Sequence, residues 1–431
     1  MVKGKENVGV RVAPLVSHRA AGMVLAVLLC LWNFRVLSDS KEQPKDPLKP
    51  PAKELPWPTQ LDHRAWSREE VYFPKVGEYT VLKGDFHCHT IYSDGQVTPE
   101  VRVWEAWRDG LDILSLTDHP EYMDLAIGPE TGRAFGRVRS LASELGLILI
   151  HGAELTTQNS SPAPFSDYVV NFITNEPAMK GDFFPAIQSA RNQGATIIWA
   201  HPGTNWTNEA RRLLEQGWLD GIELRNAQAA GSEGTVYKEG ILFYPQVMDW
   251  CIQNNLAVFA VSDAHWPIDD YYSFPRKVRR DLTLVLSRSL DQAGVKEAIQ
   301  QRRTVACFGE MLWGAEHWVK GIAEAAISIT GTALIRPKGQ IFAIFVTNQS
   351  SFPFKVFFSA NPNDGWFRPD LIQLAPRATT MVPFTLTRKE PSASPMTISL
   401  KLSNVFTGIE RPLQLTRSLP APPVRKESAR P

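Results

Sequence analysis

The chain has 431 residues, 43% of them hydrophobic, which is material for one large domain and a smaller one. Its formal net charge of +1 sets aside partners gripped by bulk positive charge, so no nucleic-acid partner is expected. Four cysteines make no disulfide framework at this length, so they neither support nor refute an oxidising compartment.

Lys3, Lys5, Arg11 and Arg19 precede an apolar run from Ala20 to Trp32. A basic region followed by a short apolar stretch reads as an export signal. The run is shorter than the ~20 residues that a bilayer span needs. Ser38, with Val36 two before it, offers a cleavage point, and a retained membrane anchor through residues 20–37 is the alternative. Residues 1–38 are therefore read as a signal peptide or signal anchor. The expected location is periplasmic, extracellular or membrane-anchored, with the body of the chain outside the cytoplasm. Residues 39–70 follow as a stiff linker rich in proline (Pro44, Pro47, Pro50, Pro51, Pro56, Pro58).

From about residue 80, apolar runs alternate with helical stretches. The runs end at His89, His119, Glu154, near Ile173, and at His201, Asn226 and His265. Thr98-Pro99-Glu100 is a good helix start and Gly110 a good stop; residues 130–145, 181–194, 208–217, 244–255 and 291–303 also read as helices. Seven strands with intervening helices predict an α/β fold, a parallel β/α barrel over 71–325. Beyond about 325, short alternating runs such as Gln340–Val346 and Met396–Leu402 predict a small all-β sandwich over 326–417, with a disordered tail at 418–431.

The chain holds nine histidines, and six fall in or beside a few short motifs at the ends of these strands. They are His87-Cys88-His89-Thr90-Ile91-Tyr92-Ser93-Asp94-Gly95, Thr117-Asp118-His119, Gly152-Ala153-Glu154, Ala200-His201-Pro202 and Ser262-Asp263-Ala264-His265. Alternation along a strand puts His87 and His89 on the interior face and Cys88 toward the helices, and it groups Asp263 with His265. A lone His-x-His says little. Four ordered motifs plus Glu154, all at the strand ends where barrel chemistry sits, describe a centre for divalent Zn, Mn or Fe. His151 is out of step with Glu154 and reads as a buried structural histidine.

The series HxHTxxSDG, TDH, GxE, HP and SDAH resembles that of the PHP (polymerase and histidinol phosphatase) family over roughly residues 80–310. Within it, the segment from Tyr79–Asp85 to Arg302–Val305 looks most like an exported branch of organophosphate phosphodiesterases with a small C-terminal β-domain. The resemblance implies a distorted seven-stranded (β/α)7 barrel and a site for two or three divalent metals. His87, His89, Glu154 and Asp263 would hold one metal. Glu154 would bridge to a second, shared with His201, and Asp94, His119 and His265 would hold a third. Many relatives complete the second metal with a further histidine. Here Asp167 or Tyr168 takes that place, and Asp167 is preferred because carboxylate also binds these metals.

The implied activity is hydrolysis of a small phosphate ester, foremost a phosphodiester, by a metal-activated water beside Glu154. Asp118 would orient a ligand or shuttle a proton, or else only make a supporting hydrogen bond behind the ligands. Arg225 and Arg280 would each meet a phosphate or else form a plain salt bridge. The alternatives are a phosphomonoesterase or nuclease of the same family, and a non-catalytic metal-binding scaffold. No protein partner is expected.

Overall fold

A computed structural model describes residues 67–121, 133–158, 165–228, 243–272, 279–334, 341–360, 366–367, 371–386 and 395–419. The signal-like run, nearly all of the proline-rich linker and the tail from 420 lie outside these residues. Among the described residues no helix is long and apolar enough to cross a membrane, a statement that does not reach residues 20–37.

Ten strands lead the fold: β1 (Thr80–Asp85), β2 (Ile113–Leu116), β3 (Ile148–Gln158), β4 (Phe165–Asn171), β5 (Thr196–Ala200), β6 (Gly221–Asn226), β7 (Ala257–Val261), β8 (Leu282–Ser287), β9 (Thr304–Phe308) and β10 (Met311–Gly314). They form one mixed sheet in the order β10-β9-β8-β1-β2-β3-β4-β5-β6-β7. Between them run helices α1 (Pro99–Arg108), α2 (Arg133–Glu144), α3 (Phe183–Asn192), α4 (Asn208–Glu215), α5 (Gln246–Asn254), α6 (Asp269–Tyr272) and α7 (Gln292–Gln300), and α8 (Glu316–Ala326) follows β10. Every residue of β2, β5, β6 and β7 is buried, as expected of strands covered on both faces.

The expectation of seven parallel strands is corrected at one place. β1, β2 and β3 pair in parallel, as do β5, β6 and β7, but β4 runs antiparallel to both β3 and β5. Only residues 159–164 join β3 to β4, too few for the crossover helix that a parallel neighbour requires. β8 and β9 extend the sheet in antiparallel fashion from β1.

The sheet curls until its far strand meets its start. Cys88, just past β1, pairs in parallel with Ala264, just past β7. His89 N donates to Ala264 O at 3.0 Å, and Asp263 N donates to His87 O at 2.8 Å. Lower on the seam, β7 is joined by threonine hydroxyls: Val258 N donates to Thr304 Oγ1 and Ala260 N to Thr283 Oγ1, each at 3.0 Å. Backbone pairing therefore closes the ring at the level of the sequence motifs. Phe86, Ile113, Ile150, Val169, Ile198 and Phe259 fill the interior, joined by Val295, Ala298 and Ile299 of α7. Cys88 sits in the outer layer with Val103 and Ala106 of α1, so the predicted alternation around His87 and His89 holds.

After α8 every described element is a strand. β11 (Ile327–Leu334), β12 (Ile341–Asn348), β16 (Ala378–Leu386) and β14 (Trp366–Phe367) form one antiparallel sheet. β13 (Phe354–Ala360), β15 (Leu371–Leu374), β17 (Met396–Phe406) and β18 (Pro412–Leu419) form a second group, and β17 pairs in parallel with β10, so this group continues the main sheet. Buried and outward residues alternate along β13 and β17, the mark of strands with one face on a core. That core is shared: Leu282, Leu284 and Leu286 of β8 pack with Phe342, Phe354, Phe384 and Leu400.

Candidate metal centre

The motifs converge at the closed end of the ring. The HxHT segment leaves β1 extended and then folds back tightly, with Gly95 N donating to Thr90 O at 2.9 Å. A Cβ on Gly95 would lie 2.7 Å from both the His89 carbonyl carbon and Thr90 N, so only glycine lets this turn close. Two buried groups hold the segment from behind. The Asp118 carboxylate accepts from Thr90 N at 2.7 Å, Thr90 Oγ1 at 2.8 Å and Ser93 Oγ at 2.8 Å. Arg102, fully buried on α1, donates to His89 O, Trp266 O and Ala264 O at 2.7–2.8 Å. One guanidinium thus ties the HxHT and SDAH segments together, and Glu105 Oε2 receives it at 2.8 Å.

Four side-chain atoms form a small polyhedron. His87 Nε2 and His89 Nε2 lie 3.1 Å apart. Each lies 3.0–3.2 Å from Glu154 Oε2 and from Asp263 Oδ1. These five separations of about 3.1 Å are close to those between neighbouring ligand atoms around an ion bound to imidazole or carboxylate at roughly 2.0–2.2 Å. The other Glu154 oxygen, Oε1, lies 3.3 Å from His201 Nε2, which is 3.5 Å from Asp167 Oδ2. Glu154 therefore serves two adjacent groups, one with each oxygen. On the other side of His89, Asp94 Oδ1 lies 3.3 Å from His89 Nδ1, while Asp94 Oδ2 lies 3.2 Å from His265 Nε2 and 3.8 Å from His119 Nε2. All nine residues singled out as ligands come together here.

Electrostatics and strain both fit a cation. Burial pushes the His89 imidazole down, but Asp263 and Glu154 outweigh it and lift it to about 10. His201 is likewise raised to about 10 against its burial, by Glu154 and Asp167. The same pairing drives Glu154 well below the usual carboxylate range and Asp263 to about 2, against the opposing effect of burial. Without metal, protons on the histidines balance the carboxylates; a divalent ion would replace them. Asp263 Oδ1, the oxygen beside His87 and His89, is buried and accepts no hydrogen bond, which is the condition of a ligand atom whose partner is an ion. His201 (φ 25°) and Asp263 (φ 48°) adopt left-handed backbone conformations that cost of order 1–3 kcal/mol each and cluster at functional sites. The donor set fits divalent metal ions.

The remaining assignments separate clearly. Of the two candidates on β4, Asp167 reaches the cluster. Tyr168 faces the opposite layer, where its ring stacks on Trp199 and its hydroxyl lies 3.0 Å from Ser166 Oγ. Arg225 and Arg280, placed as phosphate contacts, are found in buried ion pairs: Arg225 Nε with Asp281 at 2.8 Å, and Arg280 with Asp85 and Asp109. The salt-bridge alternative is the one observed for both. With three donors already on its carboxylate, Asp118 anchors the HxHT segment, and a proton-shuttling role would break those bonds. His151 stacks on Phe135 and lies 3.2 Å from Glu176, apart from the cluster as expected. Arg102, Glu223 and Asn226 were missed. Each is a buried polar residue with no motif around it; Arg102 and Glu223 stand between apolar neighbours, and Asn226 carries no such mark.

No family model matches the chain. A two-domain protein of Bacteroides vulgatus, described as containing a predicted PHP-like metal-dependent phosphoesterase, superposes with a TM-score of 0.72 at 30% identity, covering 82% of this chain and 99% of that one. An error-prone DNA polymerase of Nocardia farcinica is 37% identical over 112 residues, and a 5'-3' exoribonuclease of Haemophilus influenzae is 33% identical over 75 residues. The matched stretches span 9% and 24% of those two proteins, so the likeness covers only a small part of each. The B. vulgatus protein is matched over almost its whole length and shares the mixed α/β fold; the chain belongs to the PHP-like metal-dependent phosphoesterases.

Proposed function

We propose that the protein hydrolyses phosphate esters, with phosphodiesters preferred over monoesters. The observation that carries this reading is Glu154, whose two oxygens face two neighbouring ligand groups. Two or three divalent ions, Zn, Mn or Fe, bound there would bring the pKa of a bound water toward ~7 and neutralise phosphoryl oxygens. The chain's own part is positioning. His87, His89 and Asp263 are buried, whereas the side chains of Asp94 and His201 are 38% and 26% exposed, so substrate approaches on that side. The diester preference and an exported location rest on the resemblance to exported organophosphate phosphodiesterases and on the basic, then apolar N-terminus. In the same reading residues 71–325 form a distorted (β/α)7 barrel carrying the site, and 326–417 form a β-sandwich packed on it.

The test compares bis-aryl and mono-aryl phosphate as substrates of metal-quantified protein. Faster turnover of the diester, lost on chelation, is expected. Preference for the monoester would move the reading to a phosphatase, and turnover of neither with metal bound would favour a scaffold. The exoribonuclease match favours a second reading, a nuclease. That reading requires cleavage of single-stranded RNA with the steep salt dependence of a phosphate-gripping surface.

A further inference from the structure

Glu223 on β6 is fully buried and belongs to none of the motifs. Its Oε1 lies 2.7 Å from His87 Nδ1. Its Oε2 accepts from His201 N at 2.8 Å and from the Asn226 side-chain amide at 2.8 Å. The same amide nitrogen of Asn226 donates to Asp263 Oδ2 at 3.0 Å. One carboxylate, with one amide beside it, therefore reaches three candidate ligands that come from three different strand ends.

The backbone explains how residues 223 and 226 come to act together. In a regular strand, residues three apart face opposite sides. Here Glu223 pairs with Phe259 but Arg225 pairs with the next residue, Ala260, so β6 carries one residue extra. This is a bulge, which shifts the alternation by one step and re-aims the side chains beyond it. Leu224 packs in the outer layer, and the Arg225 guanidinium lies 5.7 Å from the ring of Phe308 in that same layer. Asn226 returns to the inner side with Glu223. The bulge thus also accounts for Arg225 facing away from the site.

We propose that Glu223 and Asn226 form the positioning hub of the metal centre. Glu223 holds the proton of His87 on Nδ1, so that the Nε2 lone pair faces the cluster, and it fixes the strained His201 backbone; Asn226 orients Asp263. Metal-bound histidines commonly donate their second N–H to such a carboxylate, which sets the tautomer and the ring angle. The inference rests on the metal-centre reading above.

The test uses the full chain and Zn2+ alone, measured by chelator competition, beside selective 15N labelling of the nine histidines. Glu223→Gln offers one amide oxygen where two acceptors are needed. Its Zn2+ affinity should fall by about 10- to 100-fold, the usual effect of losing such a partner. The ring nitrogens of His87 should report loss of the fixed Nδ1–H form, a signal that a general loss of stability does not produce. Affinity within about 3-fold of wild type, or an unchanged His87 tautomer, would overturn the proposal. Asn226→Ala, which keeps the Glu223–His87 contact, should weaken Zn2+ by about 5-fold, the worth of its one hydrogen bond to a ligand, with the tautomer retained; no change there would remove Asn226 from the hub even if Glu223→Gln does not fold. A wild type that binds no Zn2+ would instead sink the metal-centre reading, whereas a wild type that binds Zn2+ beside a Glu223→Gln that binds it equally well would sink the hub alone.

Discussion

The two ligand groups that share Glu154 are built differently. Around its Oε2, the atoms of His87, His89 and Asp263 sit 3.0–3.2 Å apart with side chains no more than 3% exposed. Around its Oε1, His201 and Asp167 stand at 3.3–3.5 Å, with side chains 26% and 16% exposed. The first group is pre-organised by β1, β3 and β7 and by the buried polar residues beneath them. The second draws on a carboxylate from the antiparallel strand β4, where Asp167 is lifted to about 6 by burial and by Glu154. A buried, regular set resists exchange, while a looser and wetter set can admit and release oxygen ligands. In the proposed reading, that difference gives tight metal binding to the first group and substrate handling to the second.

The largest expected effect comes from breaking the shared residue. Glu154→Gln removes the charge that both groups use, and turnover should fall by more than the roughly 100-fold that loss of a supporting partner costs. Near-normal turnover in a folded variant would detach Glu154 from the chemistry. Asp167→Asn sharpens the contrast, because it touches one group only. It should lower metal content by one equivalent per chain while leaving the tightest ion in place; loss of all metal would erase the distinction between the groups. A smaller effect is expected for Arg102→Lys. A lysine cannot fork to three carbonyls, so about 1–3 kcal/mol of stability should be lost, with turnover reduced and metal still bound. Unchanged melting would remove Arg102 as the clamp between the HxHT and SDAH segments.

Much of this arrangement was legible in the sequence because it is local. Runs such as Leu256–Val261 are apolar throughout, so their identity as doubly covered strands follows from composition. The ligands are legible because chemistry confines them to a few residue types at strand ends. What escaped depends on contacts distant in sequence or on a change of phase. The direction of β4 is set by the brevity of the 159–164 connection, which an apolar run does not reveal. Glu223 and Asn226 lie three apart and look unrelated until the bulge places them on one side. Arg280 resembles a phosphate contact in sequence, and only the fold shows Asp85 waiting for it. The shared core of β8 with the C-terminal strands was hidden for the same reason, since Leu284 and Phe384 each read as ordinary strand residues.

The most direct measurement strips the protein with a chelator, counts the metal that remains, and follows hydrolysis of a bis-aryl phosphate as Mn2+ is returned. Activity absent in the stripped protein and restored only as a second equivalent binds is the expected result. Hydrolysis that persists without metal, or that is complete with a single equivalent, would contradict a centre built on two groups sharing Glu154.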